Sequence, residues 1–571
     1  MTTHKHSKKP VRTDKGRMMI YQVLPRLYGN LNTHRKPNGS IEENGCGKMN
    51  DFTDEVLTRI AGFGFTHIWY TGLLEHATQT SYEDYGIAAD NAAVVKGRAG
   101  SPYAIKDYYD IDPDLAVDVK KRMKEFESLV KRTHKAGLKL IMDFVPNHVA
   151  RQYHSDSSPK GVENLGETDN PDLSFSARNN FYYLPGQRFS TRNITGREDD
   201  YEENPAKATG NDQFTAAPSV NDWYETIKLN YGVDYLGGHY GHFDPVPNTW
   251  TKMTEILLFW AKKGVDAFRC DMAEMVPCAF WHYAIARVKE SYPQIRFIAE
   301  VYNPSEYRNY IHNGGFDYLY DKVGLYDTLR AVACGYGAAS DITRCWQQVD
   351  DIKEHMLNFL ENHDEQRIAS DFFAGNARKG CPALVVSACM GRNPMMIYAG
   401  QEIGERGMDA EGFSGCDGRT TIFDYWSVPS LQKLYQGIGC LNDDERWLYD
   451  YYQRIIRLCN EIPAIREGDF YDLMYVNYEG GAGFNPHRHY AFLRKSGEQV
   501  ALIVVNFSDV DAHVGVRIPK HALDFLQIAE GSRIATELMS GNNVTMTVAS
   551  DQYAYADVPA LSAAILVFKD K

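Results

Sequence analysis

Eight short apolar, β-rich runs separated by stretches of helical periodicity restrict the fold of this chain more than any other feature. They are MMIYQVLP (18–25), FTHIWYTGL (65–73), LKLIMDFVPNH (138–148), VDAFRCD (265–271), IRFIAEVY (295–302), FDYLYD (316–321), MLNFLENHD (356–364) and NPMMIYAGQE (393–402). Between the second and third, LAVDVKKRMKEFESLVKRTHKAG repeats Val117, Met123, Phe126, Leu129 and Val130 near helical spacing, and Gly137 closes it; CAFWHYAIARVKESY fills the gap after the fourth. Eight strands alternating with helices predict an α/β fold, a parallel (β/α)8 barrel of the TIM type.

In such a barrel the polar residues at the C-terminal ends of the strands line the active site. Asp143, Asn147 and His148 follow the third run, Arg269 and Asp271 end the fourth, Glu300 the fifth, and Asn362, His363 and Asp364 the seventh. Within the fourth, period-two alternation puts Arg269 and Asp271 on one face and Phe268 and Cys270 on the other. A lone buried charge costs on the order of several kcal/mol, so the pair is either mutually compensated or required for chemistry. Taken alone, it reads as a structural ion pair. Three carboxylates arriving from three strand ends tip the reading toward chemistry.

The net charge of −14, from 61 Lys+Arg against 75 Asp+Glu, disfavours nucleic acid and other polyanions as partners. No run is long enough to span a bilayer, and the basic start has no apolar core of signal-peptide length, so no membrane partner and a cytoplasmic location are expected. Ten Cys without clustered C-x-x-C spacing indicate free thiols rather than a metal cluster, and nothing calls for an organic cofactor. Three carboxylates, an Arg and His residues suit general acid/base work on a neutral, oxygen-rich substrate. Glycoside hydrolysis needs one protonated carboxyl and one carboxylate. The Arg would keep its neighbour ionised, and the apolar flanks of Glu300 (Ile298, Ala299, Val301) favour the protonated acid.

DFVPNH, FRCD, FIAEV and ENHD, in that order, resemble the four short motifs of the α-amylase family of glycoside hydrolases. The similarity extends to GSPYAIKDYYDIDPDL after the second strand and MMIYAGQE at the eighth, covering roughly 18–460. The resemblance implies Asp271 as nucleophile, Glu300 as general acid/base and Asp364 as a binder of sugar hydroxyls. It implies substrate-positioning roles for Arg269, His148 and His363, and stacking of Tyr103 against the sugar. Asn147 is a cap or turn residue in the plain reading; the resemblance implies a structural Ca2+ ligand there. The substrate implied is an α-1,4-glucan: starch, glycogen or a maltodextrin.

The resemblance also divides the chain into a barrel (1–149 and 237–460), an inserted domain between the third strand and its helix (150–236), and a C-terminal antiparallel β-sandwich (461–571). HYAFLRK, VALIVVNFS, VGVRIP, VTMTVA and AAILVF carry the strand pattern of the last. Two departures stand out. Where many family members carry a Lys-His pair after the nucleophile, this chain has Glu274 and Met275, which leaves open the leaving-group site and the choice of acceptor. No Asp-rich calcium loop is evident near the first strand. Arg419, in the loop after the eighth strand, earns no individual role. A transglycosylase would use the same residues with a sugar as acceptor, while a non-catalytic relative should have lost one of the carboxylates.

Overall fold

A computed structural model of the chain describes residues 16–570; the basic start, up to residue 15, lies outside them. All eight predicted strands are present: β1 (Met19–Val23), β2 (His67–Tyr70), β3 (Lys139–Phe144), β4 (Ala267–Cys270), β5 (Arg296–Ala299), β6 (Tyr318–Tyr320), β7 (Met356–Phe359) and β8 (Met395–Tyr398). Each pairs in parallel with its sequence neighbour, and β8 closes on β1.

Alternation decides what each strand gives to the interior. Ile20, Trp69, Ile141, Ala267, Ile298, Tyr320, Phe359 and Met396 fill the barrel from within. Their neighbours, including Phe268 and Cys270, face outward into the larger core against the helices. Arg269 and Asp271, two and four residues beyond Ala267, therefore continue the inward row toward the C-terminal mouth. The helix expected after the second strand runs Arg122–Lys135, buries Phe126, Leu129 and Val130, and begins too late to include Val117, which is 67% exposed.

Between β3 and the helix Asn248–Lys262 the chain makes a long excursion. His148–Ala150 pairs antiparallel with Thr226–Lys228, tying its beginning to its end. A further hairpin, Val233–Asp234 with Tyr240–Gly241, precedes the helix, so the excursion runs past 236. Beyond the long helix Asp443–Glu461, whose N-terminus Asn442 caps, lies a six-stranded antiparallel sheet and a two-stranded one. All ten cysteines are free, and among the described residues no helix is long and apolar enough to cross a membrane.

Arg494 joins the C-terminal sheet to the barrel. Fully buried on strand His489–Ser496, it donates to the carbonyls of Cys389, Met390, Ala464, Ile465 and Gly468. Arg494→Met keeps much of the volume and removes every donor. With each orphaned buried carbonyl worth ~1–3 kcal/mol, unfolding in urea should show a loss of about 3 kcal/mol or more.

Candidate active site

One buried cation organises the mouth of the barrel. The Arg269 guanidinium donates from Nη1 to Asp271 Oδ1 at 2.8 Å, from Nη2 to Glu300 Oε2 at 2.8 Å, and from Nε to the Tyr320 hydroxyl at 3.1 Å. Asp143 Oδ1 lies 3.6 Å from Nη1 and Asp364 Oδ2 4.0 Å from Nη2. The barrel register explains the convergence. Arg269 pairs with Asp143 on β3, and Cys270 pairs with Ala299 on β5, which sets Asp271 and Glu300 side by side one residue further along. The ladder continues through them, from Asp271 N–H to the Phe144 carbonyl and from Glu300 N–H to the Cys270 carbonyl.

The two carboxylates are held differently. Asp271 Oδ2 has no hydrogen-bond partner among the described residues although it is buried. Glu300, by contrast, is surrounded by donors rather than by the apolar pocket its neighbours in sequence suggest. Its Oε2 also accepts from the Met272 N–H at 2.8 Å, and its Oε1 from the Tyr302 hydroxyl. Met272 adopts a left-handed conformation (φ 42°, ψ 43°), which turns its N–H toward Glu300.

A single guanidinium cannot neutralise every carboxylate in a low-dielectric site, so the proton affinities of Asp143, Asp271 and Asp364 rise. Burial pushes Asp271 well above the usual carboxylate range; Arg269 opposes this, while Glu300 and Asp364 add to it. Burial raises Asp143 to about 6 against the pull of Arg269. Asp364 keeps 42% of its side chain exposed, yet the surrounding walls, and then Glu300, push it up to about 7, again against Arg269.

Asp143 is an internal partner, accepting from Trp69 Nε1 (2.9 Å), the Gly72 N–H (3.3 Å) and the Tyr103 hydroxyl (3.3 Å). The Tyr103 ring stacks on His363 with centroids 5.0 Å apart. Burial, then Arg269, holds His363 well below the ordinary histidine value, so it is a neutral imidazole. Its Nδ1 meets Gln22 Nε2 at 2.8 Å, whereas Nε2 lies 3.1 Å from Asp364 Oδ2 without a hydrogen bond. His148 is likewise neutral, lowered to about 3 by burial and then Lys228, and packs against Trp223 and the Tyr103 backbone.

Asn147 does not fit the calcium reading. Its amide oxygen accepts from Lys228 Nζ at 2.8 Å, and the same ammonium lies 2.5 Å from Asp212 Oδ1. A lysine cation already occupies the place a metal ion would take. Glu274 accepts the N–H groups of Tyr302 and Asn303, both at 3.0 Å, and so braces the loop that carries Tyr302. Arg419 reaches the site through its Nε, which donates to the Asp364 carbonyl at 2.6 Å.

Tyr320, Tyr302 and Gln22 are not among the residues that the strand-end pattern singles out, although each carries a signal in the sequence. Tyr320 is an inward position of β6, Gln22 is a polar residue inside an apolar strand, and Tyr302 lies two residues after Glu300.

Lys228→Met should lower the unfolding free energy by roughly 2 kcal/mol. That is less than the ~3–5 kcal/mol for breaking a fully buried pair, because the Asp212 side chain is 37% exposed. Thermal unfolding with and without calcium should show that the loss is intrinsic to the variant.

Comparison with known proteins identifies the family of the chain. The family model of the alpha amylase catalytic domain matches residues 22–424. Alpha-amylase 3 of Dictyoglomus thermophilum is 23% identical over 384 residues, covering 64% of this chain and 68% of its own. An alpha-amylase of Streptomyces lividans is 24% identical over 551 residues, covering 90% of this chain, which spans only 55% of that relative's length. Among solved structures, a maltogenic alpha-amylase from Thermotoga neapolitana superposes with a TM-score of 0.62 at 19% identity, covering 97% of this chain and 98% of that one. The alpha-amylase of Geobacillus thermoleovorans, solved with acarbose, gives 0.60 at 18% identity, covering 96% and 98%. With the family model matching well over half of its residues, the chain belongs to the α-amylase family of glycoside hydrolases.

Proposed function

We propose that the protein is a retaining hydrolase of α-1,4-glucans such as starch, glycogen or maltodextrins. The observation that carries this reading is the division of labour within Asp271. Arg269 holds one carboxylate oxygen and the other is left without a protein donor, beside a second carboxyl on the same guanidinium. Asp271 Oδ2 attacks the anomeric carbon while Glu300, in its protonated form, gives its proton to the departing glycosidic oxygen. The resulting Glu300 carboxylate then takes a proton from the water that attacks the glycosyl-enzyme, releasing Asp271. Adjacent strands lie ~4.7–4.9 Å apart, which favours the spacing of about 5–5.5 Å used by retaining enzymes over the ~6.5–9.5 Å of inverting ones. His363 Nε2–H and Asp364 are the groups left to grip sugar hydroxyls.

Proton NMR of the first products from maltoheptaose should show the α-anomer before mutarotation; a β-anomer appearing first would overturn the mechanism. Products longer than the substrate would instead assign the chain to transfer. Asp271→Asn should fold and lose at least about 10³-fold in turnover, the scale for groups that act as a unit.

Asp364→Asn carries a pH signature besides its loss of turnover. Its negative charge raises the Asp271 pKa, so removing it lets Asp271 ionise at lower pH. The acid limb of kcat/KM should move to lower pH; an unmoved limb would mean that Asp364 does not act on the nucleophile.

A further inference from the structure

Away from the mouth, the hairpin that follows β2 contains a second concentration of buried charge. Strand Leu74–His76 pairs antiparallel with Ile105–Ile111, but the register jumps: Leu74 faces Ile111, whereas Glu75 faces Asp107. In a regular strand Asp107 and Asp110, three apart, would point to opposite faces. The irregularity wraps the strand around Glu75 and brings one carboxylate oxygen of each of the three residues within 4.8 Å of the others.

Asp107 and Asp110 are well supplied with donors. Asp107 accepts from the Tyr109 N–H (2.7 Å), Ser155 Oγ (2.6 Å) and the Ser157 N–H (2.9 Å). Asp110 accepts from the Ile111 N–H (2.8 Å), Arg122 Nε (2.9 Å) and Nη2, and Ser157 Oγ (2.6 Å). Glu75 differs: it is 1% exposed, and neither of its oxygens has a hydrogen-bond partner among the described residues. Arg122 pairs with Asp110, while the nearby Lys106 ammonium pairs with Asp90 at 3.1 Å. Three carboxylates against one directly paired cation leave two negative charges to be compensated in a buried site, which matches a divalent ion.

We propose that Glu75, Asp107 and Asp110 bind a divalent cation, calcium by the chemistry of the site. The donors are all oxygens, with the Ser155 and Ser157 hydroxyls alongside, and calcium accepts such an irregular all-protein shell more readily than magnesium, which demands a strict octahedron and keeps its waters. The ion would hold the start of the excursion after β3, at Ser155 and Ser157, against the hairpin after β2. The ion would give the two Glu75 carboxylate oxygens the partner they lack among the described residues.

The test uses the full chain stripped with EDTA and needs no activity assay. Adding calcium to the wild type should raise the midpoint of thermal unfolding by several degrees, and calorimetric titration should find one site. In Glu75→Gln, folded by circular dichroism, the calcium-dependent rise should disappear while the calcium-free midpoint holds or increases. Should that variant fail to fold, terbium luminescence competed with calcium is compared between the wild type and Glu75→Asp, where affinity should fall at least tenfold. A wild type that binds neither ion, or a variant that responds as the wild type does, overturns the proposal; the first result would make Glu75 a buried proton holder.

Discussion

The whole mouth of the barrel depends on Arg269. A guanidinium with 1% of its side chain exposed is sustainable only because its donors are distributed among Asp271, Glu300 and Tyr320, with Asp143 close behind and its charge lying 5.3 Å from the ring centres of Trp69 and Tyr103. Lysine could not substitute for it. A single ammonium point charge cannot present parallel donors to two carboxylates on neighbouring strands while a third donor holds a tyrosine. The same interaction sets the chemistry, because it fixes one oxygen of the proposed nucleophile and leaves the other free.

This arrangement is robust because it rests on register rather than on loops. Asp143, Arg269 and Ile298 lie in one row of the β3–β4–β5 ladder, and the hydrogen bonds of Asp271 and Glu300 continue the ladder past the last formal strand residues. Side chains placed by a closed parallel sheet share its rigidity, which suits groups that must keep a fixed separation through two inversions. The loops supply adjustment around them: Met272 turns its N–H inward, and Glu274 braces the backbone at Tyr302.

Much of this was legible in the sequence because it depends on short-range periodicity. Eight apolar runs gave eight strands, and the polar residues closing them are the ones that meet at Arg269. What escaped notice depends on partners distant in sequence. Lys228 fills the cation position beside Asn147 from 81 residues away, a substitution invisible in NH alone. The donors around Glu300 come partly from a backbone N–H with left-handed geometry, so flanking apolar residues misrepresent its surroundings. Val117 fits the helical spacing of the residues after it, but the chain bends before the helix begins and leaves it exposed. The register jump at Glu75 cannot be seen in either strand on its own.

The sites at Arg269, Lys228 and Glu75 meet their charge in three different ways, and the choice follows from what each must do. At the mouth, a rigid guanidinium leaves some carboxylate capacity unfilled, as chemistry on a neutral substrate requires. At Asn147 and Asp212 a lysine closes the account permanently, since the ammonium travels with the strand Thr226–Lys228 that it anchors. At Glu75 no side chain among the described residues completes the compensation: Arg122 is committed to Asp110 and Lys106 to Asp90. A charge left uncompensated in a fully buried position must recruit either a proton or an ion. Two neighbouring carboxylates already ordered by serine and backbone donors provide the preorganised shell from which a cation gains more than a proton does.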